Sequence, residues 1–300
     1  MNGATQHPTN FDSRLHLHLS SISCLSWFLS AFFILIVNIT SAADPSPAQK
    51  LVGTPRPLII AHRGNSSVAP ENSLPAFQSA IDAKADLVEL DYFHSSDGIP
   101  VVMHDEILDR TTNAEQLLGK PKLLIGDFPA AELQKLDIGA WFDDKFIGTR
   151  LPTLVESLDL IQSRSVTLIE RKAGDAQTLV RLLEQKKLID DVVVQAFDWE
   201  FIAACRQLSS RLALGTLSGK PASEEQIRAA AATGADLIVW DHKKIGGEQI
   251  ALIHQLGKKA WAYTIDDPVR ASQLLASGLD GVITNKPAEM RKLRDASPLR

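Results

Sequence analysis

The sequence predicts a parallel (β/α)8 barrel of the TIM type, with a small insertion after a hairpin on the second strand. Three observations predict it. From about residue 57 onward, short apolar runs alternate with segments of helical spacing. Eight of the runs are separated widely enough to be parallel neighbours joined by crossovers. Residues 57–300 also match the usual size of one such barrel, about 250 residues.

Taken in order, the strand candidates are 58–61, 87–93, 167–170, 192–197, 212–217, 237–240, 260–265 and 281–284. Helical spacing places Leu74, Phe77 and Ile81 on one face, and likewise Leu154, Leu158 and Ile161. Thr153 with Glu156, and Ser223 with Gln226, read as capping boxes that start helices. A further run, 100–104, follows the second strand after only Ser95-Ser96-Asp97-Gly98. So short a link permits only an antiparallel hairpin, so this run stays outside the barrel count. Residues 106–150 carry Gly119, Gly126, Gly139 and Gly148 with little periodicity, and are expected to form an insertion that caps the barrel mouth. A doubly wound open sheet is the alternative fold, but the Gly-rich dinucleotide fingerprint that would favour it is missing.

The N-terminus reads differently. Residues 1–21 are polar with Arg14 as their only Lys or Arg; 22–39 are largely apolar; Thr40, Ser41, Ala42 and Ala43 are small. This is the pattern of a secretory signal cleaved after Ala43. The apolar run approaches the length of a membrane span, so an uncleaved anchor through residues 22–39 is the other reading. Either one exports the barrel, to a periplasmic or secreted location. Residues 44–56, opening Asp44-Pro45-Ser46-Pro47, read as a linker. Once Cys24 is removed with a signal, Cys205 has no partner for an intrachain disulfide; it is expected to pack with Phe201, Ile202 and Leu208 on a helix face.

The hydrophobic content of 45% and charged content of 22% are those of a globular protein. A formal net charge of -5 gives no electrostatic reason to expect nucleic acid as a partner.

In a barrel the working residues stand at the C-terminal ends of the strands. The first strand ends in His62-Arg63-Gly64, the second in Glu89-Leu90-Asp91, the hairpin in His104-Asp105, and the third barrel strand in Glu170-Arg171-Lys172. Side chains alternate with period two, so Glu89 and Asp91 share a face, as do Glu170 and Lys172. If those faces line the mouth, three carboxylates converge beside cations and two histidines. Such a cluster needs a compensating cation. All-oxygen ligation suits Ca²⁺ or Mg²⁺, or Mn²⁺, and not a thiolate zinc site. A single Glu-x-Asp is more often a solvated strand face, and lone histidines such as His242 and His254 are more often surface residues. His94 follows the second strand and carries no assigned role.

Together these motifs resemble the glycerophosphodiester phosphodiesterase family. The resemblance rests on Ile60-Ala61-His62-Arg63-Gly64, Pro70-Glu71-Asn72-Ser73, Val88-Glu89-Leu90-Asp91, Asp97-Gly98 through His104-Asp105, Asp109-Arg110-Thr111-Thr112, Leu151-Pro152-Thr153-Leu154, Ile169-Glu170-Arg171-Lys172 and Thr284-Asn285-Lys286-Pro287, in the family's order. It implies one divalent cation held by Glu89, Asp91 and Glu170, with His62 and His104 as general acid and base. Arg63 and Lys172 would bind phosphate, and Glu71 would hold a neighbouring group near the mouth. Ser73 stands where the family usually has Thr, His94-Ser95-Ser96 where a Thr is usual, and Tyr263-Thr264 in place of a Trp-Thr pair. Tyr263 would then offer its ring to the glycerol or headgroup, or simply join the core. The implied reaction releases sn-glycerol 3-phosphate and an alcohol from a small glycerophosphodiester. Lysophospholipase D activity on a lipid diester is the alternative, and a non-catalytic binding barrel is a third reading, disfavoured because every implied reactive residue is present. Headgroup, choice of ion and oligomeric state are not encoded in these motifs.

Overall fold

The computed structural model describes residues 44–296. The 1–43 segment, with its expected signal or anchor and Cys24, lies outside them. In chain order the elements are α1 (Pro47–Val52), β1 (Leu58–Ala61), α2 (Leu74–Asp82), β2 (Leu87–His94), β3 (Pro100–Val102), α3 (Ala114–Leu118), α4 (Ala130–Leu133), α5 (Leu154–Ile161), β4 (Val166–Arg171), α6 (Ala176–Gln185), β5 (Val192–Ala196), α7 (Trp199–Leu208), β6 (Ala213–Ser218), α8 (Glu224–Ala232), β7 (Leu237–Asp241), α9 (Gly247–Gln255), β8 (Lys259–Tyr263), α10 (Pro268–Ala276), β9 (Gly281–Thr284) and α11 (Pro287–Ala296). Among the described residues, no helix is long and apolar enough to cross a membrane.

Strands β1, β2 and β4 to β9 run parallel, and β1 pairs with both β2 and β9, which closes the barrel. β3 pairs antiparallel with the end of β2, Tyr92 opposite Val102 and His94 opposite Pro100, and stays outside the ring. Period-two alternation then sorts every strand. Leu58, Ile60, Leu87, Leu168, Val193, Val239, Trp261 and Ile283 fill the interior. Their neighbours in sequence, such as Val88, Leu90, Ile169 and Val194, face outward against the helices. This gives a dry barrel floor on which a polar mouth can be built at the strands' C-terminal ends.

The helix starts hold as physical devices. Thr153 and Glu156 form a complete capping box on α5. At α8 the Ser223 hydroxyl accepts from the Gln226 N–H, the first half of the expected box. Cys205 is buried with Phe201 and Ile202, but Leu208 is exposed rather than packed with them. Leu208 is the last residue of α7.

Two stretches differ from the reading of the sequence. The expected linker is ordered where it contains α1. Ser46 and Gln49 make a capping box, Pro47 sits in the first turn, and Ala48 and Val52 are buried against the barrel floor. Ala48 N–H donates to Asp190 O and Gln49 Nε2 to Ser210 O, in the segments that lead into β5 and β6. The helix therefore covers the end of the barrel opposite the mouth. The 106–150 insertion is not featureless. It contains α3, α4 and two 3-10 turns around its own apolar core of Leu108, Ile125, Leu133, Leu136 and Ile138.

Replacing Ala48 by Asp would bury an unpaired charge under the barrel and should cost about 3 kcal/mol or more, whereas Ser46→Ala, which removes only the cap, should cost about 1 kcal/mol. Urea unfolding midpoints check the order, and catalytic constants should not change with Ser46→Ala because α1 lies away from the mouth.

Candidate active site

The mouth is organised by the ladder between β2, β4 and β5. Asp91 pairs across with Glu170, and Glu170 with Gln195, so their side chains stand in one row on the inner face. Glu89 lies two residues below Asp91 on that face. Oxygens of Glu89, Asp91 and Glu170 come within 4.8 Å of one another, and all three residues are buried. The expected carboxylate triad is thus brought together.

Their charges are unevenly compensated. Lys172 Nζ lies 3.1 Å from Asp91 Oδ1 and also contacts Glu170 Oε1. Arg63 Nε is 3.4 Å from Asp91 Oδ2, and the Arg63 N–H donates to Glu89 Oε2 at 2.7 Å. Burial works to raise Asp91, but Lys172 and Arg63 outweigh it and hold the group below the usual carboxylate range. Burial, then Asp91 and Glu170, push Glu89 well above that range. Burial and Asp91 push Glu170 up to about 7. Glu89 Oε1 is buried and has no hydrogen-bond partner among the described residues. A divalent cation among these three carboxylates would relieve the repulsion and satisfy that oxygen, so the donor set fits a hard oxygen-seeking ion.

The turn after β1 is shaped to deliver Arg63. Arg63 adopts φ 55° and Gly64 φ 82°, both left-handed. A β-carbon on Gly64 would lie 2.6 Å from the carbonyl carbon of Ala76, so only glycine fits against α2. Asn72, also left-handed at φ 55°, braces the same turn. Its Nδ2 donates to Asp91 Oδ2 at 2.8 Å, its Oδ1 accepts from Asp91 N–H at 3.1 Å, and its own N–H donates to Arg63 O.

The two histidines flank the carboxylates and have different partners. His62 Nδ1 lies 2.8 Å from Asn285 Oδ1. Burial, helped by Arg63, pushes the His62 pKa down to about 4. His104 Nδ1 lies 2.6 Å from the Asp105 carboxylate, whose other oxygen contacts Arg110. Burial lowers His104 too, opposed by Asp91 and by the Asp105 hydrogen bond. Met103 N–H donates to Asp91 O, and so the hairpin turns His104 back towards the triad.

Glu71 accepts from Arg63 Nη1 at 2.8 Å and from both terminal nitrogens of Arg110 at 2.7 and 3.0 Å. It holds two cations in place beside the mouth. Tyr263 extends from β8, its ring 6.0 Å and edge-on from that of Phe197. Phe197 is half-exposed, with Lys172 Nζ 6.0 Å from its centroid. Burial, then Asp241 and Glu170, raise the Tyr263 hydroxyl, which stays a donor at neutral pH. His94 is not gathered into the site. It points to the outer face, edge-on to Tyr92 and packed on Gly174.

Sequence reasoning assigned no role to Asn72, Asp105, Arg110, Asn285, Asp266, Gln195 or Phe197. Most sit inside the quoted motifs. Gln195 had a signal of its own, a lone amide in the apolar run Val192-Val193-Val194 at the register of Glu170. Its Nε2 donates to Glu170 Oε2 at 3.3 Å.

A family model for the glycerophosphoryl diester phosphodiesterase family matches residues 62–289, which takes in every motif of the mouth. The chain belongs to the glycerophosphodiester phosphodiesterase family. A glycerophosphodiester phosphodiesterase of Bacillus subtilis (strain 168) is 31% identical over 294 residues, taking in 88% of this chain and 97% of that one. Another, from Caldanaerobacter subterraneus, is 31% identical over 79% of this chain and 97% of its own. Among solved structures, a phosphodiesterase of Oleispira antarctica in complex with the product sn-glycerol-3-phosphate matches with a TM-score of 0.72 at 28% identity, over 80% of this chain and 98% of that one. A glycerophosphodiester phosphodiesterase of Agrobacterium tumefaciens str. C58 matches with a TM-score of 0.67 at 27% identity, over 79% and 99%.

Asn72→Ala leaves the buried Asp91 N–H and carboxylate each short of a partner and should cost about 1–3 kcal/mol of stability. Asn72→Gly, which suits the left-handed backbone, should be less damaging than Asn72→Ala by some tenths of a kcal/mol up to about 1. Denaturant titration of the pair separates the hydrogen bonds from the backbone.

Proposed function

We propose that this chain hydrolyses glycerophosphodiesters to sn-glycerol 3-phosphate and an alcohol, with one divalent cation, Ca²⁺ or Mg²⁺, held by Glu89, Asp91 and Glu170. The observation that carries the reading is the buried triad of carboxylates set between Lys172, Arg63 and two histidines. When bound, the ion would act as a Lewis acid that neutralises charge on the phosphoryl group.

The chain's own residues supply the rest. Arg63 and Lys172 bring fixed positive charge to a diester anion, aimed where charge grows as phosphorus is attacked. Glu71 and Asp91 fix the Arg63 guanidinium, so little reorganisation is needed on binding. His62, kept neutral by its lowered pKa, takes the proton of the attacking hydroxyl. His104, whose Nδ1 faces a carboxylate, is the ring equipped to carry the imidazolium and to give a proton to the leaving alkoxide. In this reading the attacking group is the substrate's own 2-hydroxyl. Its oxygen bonds to phosphorus, the ester bond to the alcohol breaks, and the cyclic phosphate formed is opened by water with the histidine roles reversed. Tyr263 and Phe197 present rings to the glycerol or headgroup.

The rival substrate class is a lysophospholipid, cut in the manner of a lysophospholipase D. The half-exposed Phe197 beside the mouth favours it, as an apolar foothold for an acyl chain. We also propose export of the barrel, on the strength of the apolar segment 22–39, with retention on a membrane as the variant form if that segment is not cleaved. Cell fractionation with N-terminal sequencing of the mature protein decides between them.

The decisive assay is glycerol 3-phosphate release from glycerophosphocholine by the purified protein. Chelator should abolish it, and Ca²⁺ or Mg²⁺ should restore it. A diester without the 2-hydroxyl should not turn over, and His62→Ala or His104→Ala should lower kcat about 10²–10⁴-fold. Choline release from lysophosphatidylcholine alone would move the function to the rival class, and activity indifferent to chelator would remove the metal.

The pH profile tests the roles separately. At saturating metal the acidic limb of kcat/KM belongs to His62 and should lie towards its pKa of about 4, below the ordinary histidine range. The alkaline limb belongs to His104, which must stay protonated. The Asp105 bond raises that group, so Asp105→Asn should move the alkaline limb to lower pH.

A further inference from the structure

The proposed base must present an unprotonated Nε2, and a neutral imidazole has two tautomers. We propose that Asp266, acting through Asn285, is the positioning pair that fixes His62 in its Nδ1–H form; this rests on the phosphodiesterase reading above and adds what selects its base.

The argument follows donors and acceptors outward from the ring. An ionised carboxylate only accepts. Asp266 Oδ1 accepts the backbone N–H of Asn285 at 2.8 Å and the Thr284 hydroxyl at 2.9 Å. Asp266 Oδ2 lies 2.6 Å from Asn285 Nδ2. The Asn285 amide is therefore oriented by a group that cannot donate, and its nitrogen must face Asp266. Its oxygen must then face the other way, and it lies 2.8 Å from His62 Nδ1. An amide oxygen only accepts, so Nδ1 carries the hydrogen and Nε2 keeps the lone pair.

An amide in this place does something a carboxylate would not. It selects the tautomer without putting a negative charge against the ring, so the imidazolium gains little from it. The charged groups that face His62 are Arg63, Asp91 and Glu71, and the Asp266 charge is held one residue further back. His104 has the opposite arrangement, with Asp105 directly on Nδ1. Asp266 follows β8 and Asn285 follows β9, so the mouth takes this pair from the far side of the ring, next to β1.

Two variants and one spectrum test the pair. In Asp266→Asn the new amide oxygen is claimed by the Thr284 hydroxyl and the Asn285 N–H, so its NH2 faces the Asn285 amide. That amide must turn over and donate to Nδ1, which moves the ring proton to Nε2. We expect kcat to fall about 10²-fold or more with KM little changed. Asp266→Asn combined with Asn285→Asp exchanges the two groups. It returns an acceptor to Nδ1 and should recover much of kcat, and the charge now on the ring should raise its pKa and move the acidic limb to higher pH. Two-bond ¹H–¹⁵N spectra of the histidine rings, taken without substrate, read the tautomer directly. The unchanged protein should show Nδ1–H at His62, and Asp266→Asn should show Nε2–H. A proton on Nε2 in the unchanged protein overturns the proposal, even if neither variant folds. So does an inverted tautomer with undiminished kcat. The spectrum stands whether or not glycerophosphocholine is turned over, so failure of the reaction reading would be seen separately.

Discussion

Electrostatic repulsion among three buried carboxylates is the constraint around which the mouth of this barrel is arranged. Glu89, Asp91 and Glu170 sit where water is scarce, and each raises the cost of ionising the others. Only Asp91 is held below its ordinary range, and it is the one between Lys172 and Arg63. The protein alone therefore neutralises part of the cluster, and the unpartnered Glu89 oxygen marks where compensation stops. Asn72, Gln195 and the Arg63 backbone each donate one hydrogen bond to the triad. Charge placed there at such cost is a mark of function more than of stability.

The barrel makes this placement possible because a closed parallel sheet fixes both register and facing. With Asp91 opposite Glu170 and Glu170 opposite Gln195, neighbouring strands set the spacing of the polar row. Below it the interior is apolar down to α1, which covers the floor. The hairpin adds what a regular barrel lacks. β3 runs back along β2, and the Met103-to-Asp91 backbone bond sets His104 beside the carboxylates although it lies on no barrel strand. The insertion that follows supplies Arg110, which ties Asp105 to Glu71 and so links the two sides of the mouth.

What could be read from the sequence was whatever depends on period and spacing. The alternation that puts Glu89 and Asp91 on one face and Leu90 on the other is local, and it appears directly as buried acid against outward core. The short link before β3 excluded a parallel pairing by length alone. What escaped depends on tertiary partners. Asp266 looks like any loop acid until Asn285, 19 residues on, is seen against it. The stretch around α1 looks like a linker because six helical residues carry too little periodicity, although Ser46 and Gln49 already held a capping signature. Leu208 matched the spacing of a buried face and still lies in solvent at the last position of its helix, because spacing alone does not tell how far along a helix the burial extends.

The two histidines carry the synthesis one step further. Both rings are drawn below their ordinary pKa by burial, His62 down to about 4. They differ further in the atom on Nδ1. An amide oxygen, itself oriented by a carboxylate behind it, faces His62 without bringing a charge to the ring; a carboxylate in direct contact favours the charged form of His104. Two similar rings at the edge of one carboxylate cluster thus differ by the position of a single negative charge, next to the ring in one case and one residue removed in the other. That difference comes from the loops after β8 and β9 on one side and from the hairpin on the other.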